Sequence, residues 1–383
     1  MRALCDAVIP FTWTSLKGML MKLKFSIEWL FVFIPITLAL EHLGVSAPLL
    51  FFSAALAIVP IASLIVHATE QLATRTGDAI GGLLNATFGN APELIIAIVA
   101  LKAGLLDMVR ASIAGAVLAN LLLALGCAFL LGGLRHHDQD YNPAAARVYS
   151  SMMLIAVISL AVPSAFSRFF APEETIRQEM LLNVGLAVVL LIAYALYLVF
   201  MLKTHPGAFA SQGGHADEEE EGTRWNLPRA IGSLVGASVL AAWMSEILVG
   251  AAEGTGTALG MSQVFIGIVF LAVVGGAAES LSAIAMARKN RVDMAVGIAL
   301  GSSIQITLFV APVLVLTSYF IAPQPLDLAF GRTEVGALFI AVLIGTMVVG
   351  DGRSNWYKGV QLITVYTIIA LMFYLLPDIT HAG

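Results

Sequence analysis

Charged residues are scarce in this chain. They make up 12% of its 383 residues, whereas a typical soluble domain has about 25%, and apolar residues make up 59%. A soluble protein could not bury so much apolar surface, so this composition excludes a cytosolic enzyme, a disordered protein and a nucleic-acid-binding protein. Cysteine is scarce too, since Cys5 and Cys127 are too few for a disulfide framework. The sequence predicts an all-α polytopic membrane protein with the lipid bilayer as its surroundings.

Apolar runs of about twenty residues, the length that a helix needs to cross a bilayer, recur along the chain. They predict eleven transmembrane helices, over residues 26–43, 47–66, 79–100, 109–133, 148–168, 179–202, 227–250, 261–287, 292–318, 333–350 and 356–376. With the N-terminus in the cytoplasm, 15 of the 20 Lys and Arg residues fall on the cytoplasmic side, as the positive-inside rule requires. The same count places the C-terminus outside.

The longest polar segment divides the chain and contains an acidic run, Asp217 followed by four glutamates. This run is either a solvated cytoplasmic linker or an element that concentrates cations near an entrance. The predicted organisation is an N-terminal tail with the first helix (1–46), a five-helix repeat (47–202), the acidic linker (203–226) and a second five-helix repeat (227–383).

The two predicted repeats align when the second is shifted by 186 positions. Over 81–130 against 267–316, 12 of 50 residues are identical, and Glu93 meets Glu279. Because an odd number of spans separates the copies, the second repeat is expected to be inverted in the membrane, an architecture typical of transporters. The chain has neither a His-Glu-x-x-His zinc motif nor a P-loop, so no enzyme is predicted.

Glu93 and Glu279 lie within predicted spans, where an ionised carboxylate costs about 2.5–3.5 kcal/mol. No Lys or Arg is predicted near the middle of any span. The counter-charge is therefore expected to be mobile, either a metal ion or protons. The alternative is that each glutamate stays protonated and bonds to a neighbour.

Other oxygen atoms are expected near these glutamates. Pro92 cannot donate a hydrogen bond to the Phe88 carbonyl, and Asn90 adds an amide. Oxygen ligands suit calcium, whereas the absence of nearby Cys and His disfavours zinc or copper. Small residues on the partner helices also fit a simple packing role. The predicted cation site comprises Phe88, Asn90, Glu93, Asn120, Gly275, Glu279, Ser302 and Gln305, with no resident cofactor.

Two motifs carry a family resemblance. Gly89-Asn90-Ala91-Pro92-Glu93 and Gly301-Ser302-Ser303-Ile304-Gln305-Ile306 resemble the two repeats of the calcium/proton exchanger (CAX) family, within the calcium:cation antiporter superfamily. The resemblance covers roughly 47–376. It implies that Glu93 and Glu279 bind calcium and protons alternately, assisted by Asn90, Asn120, Ser302 and Gln305.

The sequence departs from the family pattern in the second motif, where Gly276 replaces the usual Asn and Ser280 the usual His. Hydroxyl side chains that precede the glutamates in sodium/calcium exchangers are absent here, which favours protons as the coupling ion. We therefore expect a calcium/proton antiporter in the inner membrane of a prokaryote. The alternatives are a sodium-coupled or other cation exchanger of the same fold, and a membrane sensor that only binds a cation.

Overall fold

The computed structural model describes residues 27–76, 78–166, 176–208 and 225–376. The acidic run at 217–221, most of the predicted linker, Cys5 and the N-terminal tail lie outside the described residues. Thirteen helices and two short strands are described here. They are α1 (Phe33–Leu43), α2 (Ala47–Thr76), α3 (Asp78–Phe88), α4 (Ala91–Lys102), α5 (Leu106–His136), β1 (Asp138–Asp140), α6 (Pro143–Ala165), α7 (Ile176–Val199), α8 (Leu227–Leu259), α9 (Gln263–Gly275), α10 (Ala277–Arg288), α11 (Val292–Ile321), α12 (Arg332–Val349), β2 (Arg353–Asn355) and α13 (Trp356–Leu375).

The protein is almost entirely helical and integral to a membrane. Within the described ranges, eight helices are long and apolar enough to span a bilayer, and the bent pair α9–α10 makes a ninth. These nine correspond to nine of the eleven predicted spans.

The other two predicted spans are not continuous helices. Over 26–43, the described part is a 3₁₀ segment, Ile27–Val32, followed by the 11-residue α1. The span at 79–100 is divided at Gly89 and Asn90 into α3 and α4, of 11 and 12 residues. A continuous helix would need an N–H at position 92 to donate to the Phe88 carbonyl, and Pro92 has none. A helix of 12 residues rises only about 18 Å, too short for a bilayer. The count of eleven therefore stays a prediction.

Asparagine starts three of the helices. The side chains of Asn142, Asn226 and Asn355 accept backbone N–H bonds from the first turns of α6, α8 and α13. Such caps satisfy amides that have no partner inside the helix. A proline follows the first two of these caps, where its missing N–H costs nothing.

The two halves of the chain form one packed unit. The long helices α2 and α8 lie against each other, and a single apolar core includes Phe51 and Leu118 from the first half and Leu300 and Phe373 from the second. Strand β1 pairs antiparallel with β2, with Gln139 opposite Ser354. The sheet therefore joins the α5–α6 connection to the α12–α13 connection.

Several elements of the halves have matching positions. Adding 186 to the bounds of α4 gives the bounds of α10, and the same shift places the start of α5 at the start of α11. Helices α5 and α11 each contain a π-helical segment at nearly equivalent positions, Ala119–Ala124 and Ile306–Val310. Such segments often mark functional sites, because they redirect the side chains of one turn.

Candidate functional site

Two helix breaks position the predicted glutamates. The helix ends at Phe88 and resumes at Ala91, and in the second half α9 bends by 57° into α10 at Gly276. Glu93 and Glu279 each lie in the first turn of the helix that follows the break. The positive end of a helix dipole favours negative charge in that turn. The backbone therefore provides each carboxylate with a partially compensating field without a basic side chain.

Both carboxyl groups are buried. Glu93 is 9% exposed and Glu279 is 8% exposed. All four carboxyl oxygens lack a hydrogen-bond partner among the described residues. Buried polar atoms in proteins nearly always have partners, so four such oxygens in one place indicate a ligand or protons.

The glycines of the second break make room for Glu93. A Cβ atom added to Gly275 would lie 2.9 Å from Glu93 Cγ, and one added to Gly276 would lie 3.6 Å from Glu93 Oε1. The second break of the chain therefore passes directly against the glutamate of the first. Gly275 was predicted as a carbonyl ligand, and the structure shows that its small size also matters.

A chain of amide and hydroxyl groups lies beside the carboxylates. Ser302 Oγ donates to Asn90 Oδ1 at 2.7 Å, and Asn120 Nδ2 donates to Ser302 Oγ at 3.0 Å. Asn90 Nδ2 also donates to Gln305 Oε1. These four residues come from the first break, from α5 and from α11. The hydrogen bonds fix the orientation of each amide, which is what preorganised cation ligands require.

A cavity of about 20 Å³ opens beside Glu93. Its lining includes Ile96 from α4, Ser112 and Ala116 from α5, and Leu314 from α11. Because Ile96 follows Glu93 in α4, the cavity extends from the carboxyl group toward the C-terminal end of that helix. This volume holds about one water molecule or one small ion.

The structure brings together most of the predicted site. Hydrogen bonds or close approach link six of its residues, namely Asn90, Glu93, Asn120, Gly275, Ser302 and Gln305. Glu279 lies in the first turn after the break whose glycines approach Glu93. Phe88, whose carbonyl is the predicted ligand, is the last residue of α3 and is 37% exposed. In the described part of the chain, no group of three or more His, Cys, Asp or Glu side chains is arranged to hold a metal ion. Whether these residues bind a cation stays a prediction.

Sequence reasoning missed the role of Gly276. The replacement of the usual Asn reads as a lost ligand in the sequence. In the structure, a Cβ atom at position 276 would lie 3.3 Å from Asn120 Oδ1, so the glycine leaves space for Asn120 and Glu93. A mid-span glycine next to a matched glutamate was the available signal, since such glycines often allow close approach.

Comparisons with known proteins cover both halves. The model of the sodium/calcium exchanger protein family matches residues 46–203 and 229–375. A Ca(2+)/H(+) antiporter of Aphanothece halophytica is 40% identical over 367 residues, which are 92% of this chain and 97% of that protein. The Ca(2+)/H(+) antiporter ChaA of Bacillus subtilis (strain 168) is 42% identical, over 83% and 90% of the two chains. The solved structure of native YfkE superposes with a TM-score of 0.79 at 36% identity, over 92% of this chain and 100% of that one.

Proposed function

The chain belongs to the sodium/calcium exchanger protein family, and we propose that it is a secondary active transporter that exchanges calcium for protons. The observation that carries this proposal is the pair of buried glutamates, Glu93 and Glu279, whose four carboxyl oxygens have no partner among the described residues. The similarity to Ca(2+)/H(+) antiporters along most of the chain supports the same two ions.

Burial of the two carboxylates explains why calcium and protons would compete. Two ionised groups close together in an apolar interior repel each other and have lost their hydration, so the empty charged state is costly. One calcium ion neutralises both charges, and two protons do the same. Each loaded state can therefore rearrange in the membrane, whereas the empty state cannot. Obligatory exchange follows from this difference in cost.

The ligands around the pair suit a hard cation. Carboxylate oxygens from Glu93 and Glu279, with oxygen atoms of Asn90, Asn120, Ser302, Gln305 and the carbonyls of Phe88 and Gly275, form an all-oxygen set, the kind that calcium prefers. The hydrogen bonds among the four polar side chains would keep their oxygen atoms oriented for cation binding beside the two glutamates.

Alternating access is the mechanism that the arrangement favours. The matching positions of α4 and α10, and of the starts of α5 and α11, support two repeats. We infer that the repeats are inverted and that the N-terminus is cytoplasmic, as the distribution of basic residues indicates. Two short helices of opposite direction would then approach the site from opposite faces of the membrane. Small movements of either half would open the site to one side at a time.

A sodium-coupled exchanger is the second candidate, because the family as a whole is named for sodium. Against it, residues 88–92 and 274–278, just before the two glutamates, include no Ser or Thr. A sensor that merely binds a cation is the third.

Calcium uptake into vesicles that contain the purified protein tests the three candidates. We expect uptake driven by an imposed pH gradient and insensitive to a sodium gradient at fixed pH. Sodium-driven uptake of comparable size would establish the second candidate in place of the first. Calcium binding without uptake under either gradient would favour the sensor.

A further inference from the structure

The C-terminal end of α10 is held by two side chains from the first half of the chain. Gln139 Nε2 donates to the carbonyl of Ala287 at 2.9 Å and to Asn290 Oδ1 at 2.8 Å. His136 Nε2 lies 3.1 Å from the carbonyl of Arg288, and its N–H donates because a carbonyl only accepts. The last carbonyls of a helix have no partner within it. His136 satisfies the carbonyl of Arg288, and the carbonyl of Ala287 accepts from Gln139 as well as from the backbone N–H of Asn290 at 3.1 Å.

The position of Gln139 is determined by the surrounding backbone. The residue is 2% exposed and lies on β1, which pairs with β2. A Cβ atom added to Gly132 of α5 would fall 2.3 Å from Gln139 Oε1 and 3.0 Å from Ala287 Cβ, so the glycine is needed for this contact. A small alanine cluster, Ala128, Ala283, Ala287 and Ala295, brings α5, α10 and α11 together at the same place.

The equivalent helix of the first half ends differently. With the shift of 186, Gly104 corresponds to Asn290, and both have left-handed φ angles, 78° and 62°. Gly104 lies against a loop that contains Pro323. A Cβ atom added to Gly104 would contact the ring of Pro323. Arg110 of α5 forms an ion pair with Asp327 of this loop, with Nη1 and Oδ1 at 2.7 Å, and so holds the loop against α5. Among the hydrogen bonds between described residues, none joins a side chain of another element to the last carbonyls of α4.

Helix α10 transmits this restraint to Glu279. It has 12 residues, a length of about 18 Å, and Glu279 lies in its first turn. A helix of this length moves as a rigid rod, so holding its C-terminal end also holds the carboxylate at its start. The cavity beside Glu93 is lined on α4 by Ile96 and Ala97, and the C-terminal end of α4 has no such restraint.

We propose that Gln139 is a positioning residue for Glu279: it latches the C-terminal end of α10 to the first half of the protein and keeps the site closed on that side. The latch, Gln139 with Ala287 and Asn290, must open before ions can reach the site past α10. This inference rests on the proposed exchange function only in what it says about ion access. The restraint of α10 can be measured without transport.

Hydrogen exchange of backbone amides, measured by mass spectrometry on the full-length purified protein, tests the latch directly. Gln139→Met keeps the volume of the side chain and removes its donors. We expect amides of residues 283–291 to exchange at least about fivefold faster, because both hydrogen bonds from Gln139 are lost, and amides of 97–105 to be unchanged. Gln324→Met, an exposed change in the loop near α4, is the matched control and should alter neither segment.

A second variant separates loss of the latch from misfolding of the protein. Asn290→Gly retains the left-handed backbone and removes one of the bonds to Gln139, so a smaller increase is expected over the same residues. Unchanged exchange over 283–291 in Gln139→Met would overturn the latch. Faster exchange throughout the protein would also overturn it, since that result indicates general destabilisation.

Transport kinetics distinguish a positioning role from a purely structural one, because only the positioning role predicts a change in the KM for calcium. A weaker latch favours the conformation open past α10, so the KM for calcium offered on that side should fall about fivefold in Gln139→Met, with a smaller change in maximal rate. An equal fall in maximal rate with unchanged KM would contradict the positioning role. Absence of exchange by the unsubstituted protein would instead count against the proposed function, and the amide measurements would still decide the latch.

Discussion

The two helix breaks share a backbone plan but differ in the side chains they contribute. In the first break, Asn90 hydrogen-bonds to Ser302 and Gln305 of the other half. At the equivalent position of the second break, Gly276 has no side chain and leaves room for Asn120 and Glu93. Each break is therefore followed by one glutamate, whereas only the first break contributes an amide side chain. The difference shows that the site is a single assembly built by both halves, and not two copies of one site.

The strongest test of this comparison removes what the two breaks share. Glu93→Gln and Glu279→Gln preserve the shape of the side chain and remove its charge and its titratable proton. One calcium ion would then meet a single carboxylate, and fewer protons could be exchanged. We expect each variant to lose pH-driven calcium uptake to the level of empty vesicles while remaining folded, since a neutral amide is no costlier to bury than an unpaired carboxylate.

Glu41→Gln, at an exposed position near the end of α1, is the matched control for this test and should transport normally. Near-normal uptake by either buried variant, in monodisperse protein, would show that the two breaks do not act as a pair.

A second prediction addresses the contact between the breaks. Gly275→Ala places a methyl group 2.9 Å from Glu93 Cγ, so the carboxyl group or the helix must shift. Overpacking of this kind costs about 1–3 kcal/mol, and we expect the rate of calcium uptake to fall roughly tenfold. Gly250→Ala, whose added Cβ atom meets nothing within 4 Å, should leave uptake unchanged. Equal activity of the two variants would mean that Glu93 does not depend on the second break.

The third prediction concerns the feature that differs between the breaks. Asn90→Gly makes the first break resemble the second. It removes the donor to Gln305 Oε1 and the acceptor of the Ser302 hydroxyl, whereas the bond from Asn120 to Ser302 remains. A buried polar group without a partner costs about 1–3 kcal/mol, so the KM for calcium should rise several-fold. Gly276→Ala adds a methyl group 3.3 Å from Asn120 Oδ1, a contact that a small shift relieves, so its effect on the KM should be smaller. The reverse order of effects would show that the polar network is incidental to cation binding.

The sequence was sufficient to predict much of the architecture. Nine apolar spans, the alignment of the halves by 186 positions and the mid-span location of both glutamates all follow from residue type and spacing. The span at 79–100 was expected as one helix, because hydropathy measures apolar character and does not report where a helix stops. Gly89 and Pro92 suggested irregular backbone there.

Within the site, the sequence by itself determined the predicted chemistry: two carboxylates in an apolar chain, with no basic residue predicted beside them, are expected to need a mobile positive charge. Only the tertiary structure decided which groups meet. Asn120 and Ser302 are 182 positions apart and out of register under the repeat, yet they share a hydrogen bond, and Gly275 serves as space because Glu93 lies against it. Gln139 gave no sequence signal at all, since its partners are backbone and side-chain oxygens about 150 residues away. Charge and helix propensity are properties of each residue and its neighbours in sequence, whereas hydrogen-bond partners and close contacts are properties of pairs that only the packed fold brings together.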